Sequence, residues 1–316
     1  MAMMLRRSAA RMGAAWGEWP IGAHERRPGR PVVEATAPAH AAAQNAGMPT
    51  HDFDAAIRLT PAGVHRFAAA THPAYANMVG PYGGVTAALL LNGALQHPER
   101  QGDPISLTVN FAAPVAHGAL ELEARPLRTS RSTQHWQLTL SQAGAVVASG
   151  TSVFALRRAT WSAPEAAMPA DVPAALTLER APMHGRATWT QRYDMRFPPG
   201  DVPVFDGQAR AQSVDRVWLR DEPPRPLDFA SLASLCDCFM PRIFIRRGAP
   251  ALIGTVTLTS YFHADAALLA AQGERHVLGR AHGHNFRNGY FDQSAEVWSD
   301  NGELLASTHQ MVYYRE

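Results

Sequence analysis

Residues 146–157 read VVASGTSVFALR, and residues 304–315 read LLASTHQMVYYR. Each run ends on arginine, and each closes a longer stretch of the same layout. Upstream, LTVNF at 107–111 lines up with LTSYF at 258–262. Alternation of apolar and polar positions in LTVNF, and in WQLTLSQ at 136–142, is the period of half-buried antiparallel strands. A pattern that recurs once over so long a stretch is not a solenoid, which needs shorter and usually more numerous units. It predicts two like domains side by side.

Before each set of strands lies a helix-forming segment. GPYGGVTAALLLNGAL, residues 80–95, passes from glycines into helix formers with apolar or small side chains on nearly every side, the mark of a buried helix. PRPLDFASLASLCDCFMPRI, residues 224–243, predicts a second apolar helix from Leu227 to Met240, stopped by Pro241. In the first unit, extended segments are expected at Phe53–Leu59, Val64–Ala70, Ile105–Phe111, Leu120–Leu127, His135–Leu140 and Val146–Leu156. In the second they are expected at Thr188–Phe197, Val214–Leu219, Thr255–Phe262, Val277–Phe286, Ser294–Ser299 and Leu304–Tyr314. Pro164, Pro169, Pro173 and Pro182 mark residues 159–186 as a connector. The domains are therefore expected at 48–158 and 187–316. Residues 1–47 are arginine-rich with little apolar periodicity, and read as a disordered extension or as residues upstream of the true start. One buried helix wrapped by one antiparallel sheet hides the helix and one sheet face together, an α+β arrangement.

Composition narrows the function. The chain has 316 residues, 46 % of them apolar, enough for a sizeable core. A net charge of only +2 argues against a nucleic-acid partner. No apolar run is long enough for a membrane span. All 29 basic residues are arginine. Without lysine there is no Schiff base, no pyridoxal phosphate anchor, no Ser-Lys dyad and no Walker lysine. Cys236 and Cys238, two apart in one segment, cannot close a useful disulfide and make a poor zinc site. Their scarcity fits a reducing, cytoplasmic setting, and no metal or cofactor is expected.

From about residue 50 onward the chain resembles the type II acyl-CoA thioesterases and the thioesterase-like double-hotdog superfamily. The resemblance rests on GPYGGVTAALLL, SLTVNFAAPV and RSTQHWQLTLSQ in the first half, and on LCDCFMPR, GTVTLTSYFHA and LLASTHQ in the second. It implies a double hotdog, an acyl-CoA substrate, and a catalytic set of acid, Thr and Gln. Carried over by motif, these are Asp237, Thr255 and Gln310. Thr255 precedes the Tyr261-Phe262-His263 motif, and Gln310 follows Ala306-Ser307-Thr308.

The residues themselves point the same way. A carboxylate among Leu232, Ala233, Leu235, Phe239 and Met240 is costly without partners, which makes Asp237 a functional candidate. Thioester hydrolysis needs a water held near the carbonyl carbon. A carboxylate can accept the water's proton, while Thr and Gln hold it by hydroxyl and amide. Gly83 and Gly84 permit close approach of substrate to backbone, or simply tight packing. Against this, Asp237 could be a structural acid paired with arginine, and Thr255 an ordinary strand threonine. His263 reads as structural, and the two cysteines as helix packing. Ser152 stands where Gln310 stands in the other repeat, and the first helix carries no acid, so one site per chain is expected, in the second repeat. Arg128, Arg131, Arg242, Arg246 and Arg247 are candidates to meet the CoA phosphates. A hydratase is disfavoured because neither helix holds a histidine. A non-catalytic acyl-CoA or acyl-chain binding protein stays open, as does a homo-oligomer formed through an exposed sheet edge.

Overall fold

The computed structural model describes residues 50–315, so the expectations for residues 1–47 lie outside the described residues. The first half runs α1 (Asp52–Ala56), β1 (Thr60–Gly63), β2 (Arg66–Ala70), α2 (Gly83–Leu95), β3 (Asp103–Phe111), β4 (Ala119–Thr129), β5 (Thr133–Gln142) and β6 (Ala145–Ala155). The second runs β7 (Tyr193–Arg196), β8 (Asp215–Asp221), α3 (Phe229–Leu235), α4 (Arg242–Arg247), β9 (Leu252–Phe262), α5 (Ala266–Gln272), β10 (Val277–His282), β11 (Phe286–Arg287), β12 (Tyr290–Trp298) and β13 (Leu304–Arg315).

Apart from β11, which pairs only with β12, the strands form one sheet in the order β1-β2-β4-β5-β6-β3-β9-β13-β12-β10-β8-β7. Read outward from its middle, this is the same list twice. Strand β3 meets β9 at the seam, where Thr108 pairs with Thr259, the residues the sequence repeat aligns. Their hydroxyls hydrogen-bond at 3.1 Å, so the local two-fold passes beside them.

Alternation decides which face is buried. Gln134, Trp136, Leu138 and Leu140 of β5 point inward, as do Leu258, Ser260 and Phe262 of β9. Helix α2 is buried along almost its whole length and packs with α3 against this inner face. Each fully buried leucine of α2 contributes about 2 kcal/mol.

Three sequence expectations are corrected. Phe53–Leu59 opens as α1 rather than as a strand, because His51 caps Phe53 N–H and Asp52 and Asp54 favour the helix start. Thr188–Arg192 is a 3-10 turn, and only Tyr193–Arg196 is extended. The second helix is shorter at both ends. Asp228 caps it by accepting from Ser231 N–H, and it ends at Leu235. A helix reaching Met240 would press the Pro241 ring against the carbonyl of Asp237. Pro241 instead leads into α4. Asp237 therefore sits in the turn after the helix, not within it. Among the described residues, no helix is long and apolar enough to cross a membrane.

Candidate active site

The start of α2 and the end of α3 meet. Tyr82 Oη donates to the carbonyl of Ser234 at 2.8 Å. A Cβ at Gly84 would fall 2.5 Å from that same carbonyl oxygen and 2.5 Å from the Tyr82 ring. Only glycine allows this approach. Aromatic packing holds it in place: Tyr82 stacks on Trp189 at 4.0 Å, and the Tyr193 and Ser234 hydroxyls hydrogen-bond at 2.7 Å.

Asp237 is presented at this junction. Gln310 Nε2 donates to its Oδ1 at 2.7 Å, and the backbone N–H of Gly84 also donates to the carboxylate. A Cβ at Gly83 would lie 2.8 Å from Asp237 Oδ2 and 3.5 Å from the Phe111 ring. The first repeat thus supplies two glycines and the second supplies acid and amide. Burial pushes the Asp237 carboxyl up to about 7, against the opposing pull of Gln310 and the Gly84 N–H. Part of its surface stays open to solvent. No arginine pairs with it among the described residues, so it is not a structural ion pair. A carboxyl that titrates near neutrality is matched to moving a proton.

Gln310 is buried on the inner face of β13, opposite Leu258 of β9. The pairing then skips Val256, so that Thr255 stands opposite Val312. An irregularity of this kind re-aims side chains. Here it brings Thr255 to the same face as Gln310, where strict alternation would have turned it away. The Thr255 hydroxyl makes no hydrogen bond to Asp237 or Gln310. The structure brings Asp237, Gln310, Gly83 and Gly84 together and leaves Thr255 on the same face without a direct tie.

The remaining candidates separate clearly. Burial pushes the Cys236 thiol up to about 12 and Cys238 well above its ordinary value, so neither serves as a thiolate. His263 bonds to Ser307 at 3.0 Å, at the far end of β9. Of the arginines proposed for CoA, Arg128 and Arg131 are exposed. Arg246 lies over the Phe286 ring. Arg242 is a correction: it is fully buried and pairs with Asp215 at 2.6 Å, so it cannot meet a phosphate.

The first repeat offers no matching acid. The Asn92 amide donates to the carbonyl of Ile57 at 2.7 Å, and the Ser152 hydroxyl to that of Ser106 at 2.7 Å. A cavity of about 470 Å³ opens there, at the opposite end of the helix pair, lined by Ile57, Asn92, Leu95, Arg225 and Phe229. None of Asp237, Thr255 or Gln310 lines it, so this cavity is not where the chemistry gathers. His65, His97 and Glu99 also cluster. His97 Nδ1 accepts the backbone N–H of Glu99 at 3.1 Å, which places the ring proton on Nε2, toward His65 Nδ1 at 2.8 Å. That tautomer is wrong for a metal ligand.

Sequence reading missed Tyr82, Trp189, Tyr193 and Ser234, which hold the junction. The one available signal was the aromatic residue inside GPYGG.

Comparison with known proteins follows the same division. An acyl-CoA thioesterase N-terminal domain model matches residues 72–155, and an acyl-CoA thioesterase C-terminal domain model matches 164–314. A conserved protein of unknown function with a hot dog fold from Alicyclobacillus acidocaldarius is 47 % identical, with TM-score 0.80, over 85 % of this chain and 99 % of that one. A putative thioesterase II from Thermobifida fusca YX shares the fold at 21 % identity and TM-score 0.73, over 85 % of this chain and 99 % of that one. A tesB protein of Mycobacterium avium subs paratuberculosis does so at 19 % and 0.68, over 84 % and 98 %. No curated protein matches the chain. With a thioesterase domain model on each half and a duplicated hotdog sheet around paired helices, the chain belongs to the acyl-CoA thioesterase II-like family of double-hotdog proteins.

Proposed function

We propose that this chain hydrolyses an acyl-CoA thioester to the free acid and CoA, at a single site built on Asp237, Gln310 and Thr255. The observation that carries the proposal is the Asp237–Gln310 pair. Among the described residues it is a carboxyl with no cationic partner, pushed up to about 7 by burial, and bonded at 2.7 Å to an amide from β13. Asp237 takes a proton from water as the water oxygen attacks the thioester carbon. The carbonyl oxygen becomes an oxyanion, within reach of backbone N–H groups at the start of α2. Collapse breaks the C–S bond, and the proton held by Asp237 passes to the departing sulfur. No cysteine or serine nucleophile is required. Gln310 orients the carboxylate, and Thr255, facing the same way, holds the water. Met78 and Val79, exposed in the loop leading into α2, offer an apolar lip to the acyl chain.

Free-thiol release from a panel of acyl-CoAs, with wild type beside Asp237→Ala, tests the proposal. Release by wild type and its loss in the variant is the expected result. Equal rates remove Asp237 from the mechanism. No release at any chain length makes the chain a non-catalytic acyl-binding protein.

A further inference from the structure

Two histidines away from the proposed site face each other just past the end of β10. His282 Nε2 lies 3.2 Å from His284 Nε2, with ring centres 4.6 Å apart and planes inclined by 67°. On the far side of its ring, His284 Nδ1 meets Asp292 Oδ2 at 2.5 Å. Asp292 is itself fixed, because its Oδ1 accepts the backbone N–H groups of His284 and Asn285 at 3.0 and 2.8 Å.

This arrangement sets the tautomer. A carboxylate against Nδ1 keeps the proton on that nitrogen and leaves the Nε2 lone pair facing outward. A carboxylate behind a histidine is also the usual outer support of a metal ligand. His282 Nδ1 is buried and has no partner among the described residues, so it is free to take the ring proton when Nε2 gives it up. Two nitrogens on one tetrahedral metal, each about 2.0–2.1 Å from it, stand roughly 3.3 Å apart. The observed 3.2 Å matches that spacing.

A third imidazole lies in the same row of the sheet. His282 pairs with Ser294, and Ser294 with His309. The Ser294 hydroxyl holds His309 Nδ1 at 2.6 Å, and the His309 ring centre is 6.3 Å from that of His284. His309 is exposed, so its ring can turn toward the pair. The His65–His97 pair has the opposite tautomer, with His97 Nδ1 accepting the backbone N–H of Glu99, which makes it an internal control.

We propose that His282 and His284 bind a divalent transition metal of the zinc, nickel or copper type, with His309 as third ligand and water completing the shell. Imidazole nitrogens suit these ions rather than magnesium or calcium. The metal replaces the proton the two Nε2 atoms now share, and Asp292 acts as a positioning residue for His284.

Titration of the chelator-treated full-length chain with Co²⁺, followed by visible absorption and calorimetry, tests this directly. The expected result is one high-affinity equivalent lost in both His282→Ala and His284→Ala and retained in His97→Ala. Asp292→Asn should weaken it by roughly 10–100-fold. The His284 side chain is 60 % exposed, so its removal does not open the core. Circular dichroism checks the fold of each variant. Wild-type binding in the His282 and His284 variants overturns the proposal, as does the absence of binding by the wild-type chain at millimolar Co²⁺.

Discussion

Replacing Asp237 with Asn is expected to stabilise the protein at pH 8 while abolishing thiol release. In the folded chain the carboxyl titrates near 7 instead of 3.8. Holding it ionised at pH 8 therefore costs roughly 4 kcal/mol, at 1.36 kcal/mol per pH unit. Solvent reaches part of the side chain, which reduces that figure. Asn also accepts fewer hydrogen bonds from Gln310 and Gly84, a loss of about 1 kcal/mol. A net gain of about 2 kcal/mol is expected. The sign follows from proton binding. The folded acid holds its proton more tightly than the unfolded one, so wild-type stability falls as pH rises from about 4 to about 7 and then levels. The variant lacks this slope, and its advantage shrinks at pH 5. Urea denaturation of both proteins at pH 5 and pH 8, with equal m-values, measures the difference. A variant less stable than wild type at pH 8, or one that keeps the wild-type slope, would refute the claim that burial strains this carboxylate.

Further expectations concern the neighbours of Asp237 and the core. Gln310→Ala removes a hydrogen bond to the acid, so the rise of kcat/KM with pH should move above 7 and activity should fall about 10-fold or more, as read by thiol release. Thr255→Val should lower kcat about 10-fold with unchanged melting temperature, because among the described residues its hydroxyl has no side-chain hydrogen bond to lose; an unchanged kcat removes it from the site. Gly84→Ala places a methyl group against the Ser234 carbonyl and the Tyr82 ring, and should destabilise by about 1–3 kcal/mol in thermal melts. Arg242→Ala strands the buried Asp215 carboxylate and should cost about 3–5 kcal/mol, with little recovery in Arg242→Lys.

The duplication was legible because strand alternation is local and repeats in order: LTVNF and LTSYF turn matching positions inward, and they meet at the seam. What sequence could not show was the face toward which Thr255 points. Strict alternation turns it away from Leu258, and only the skipped Val256 restores it. Nor could it show where α3 ends. The apolar run continues to Met240, yet Pro241 acts backward on the chain near Asp237. Arg242 reads as surface by residue type, and its burial depends on Asp215, which lies on β8. The histidine pair escaped notice because the acid that sets its tautomer comes from the next strand.

The proposed site straddles the two repeats, and this bears on what duplication permits. A single-repeat ancestor acting as a symmetric pair would need every residue twice, glycines and acid on the same chain. Once fused, each half can keep one share and surrender the other. Gly83 and Gly84 must stay bare although their own helix carries no acid, whereas Asn92 and Ser152 bond backbone carbonyls. Sensitivity of activity to substitution should therefore be divided between the halves: at Gly83 and Gly84 in the first, and at Asp237 and Gln310 in the second. On this reading the fused chain keeps the geometry of a symmetric pair around one proposed site.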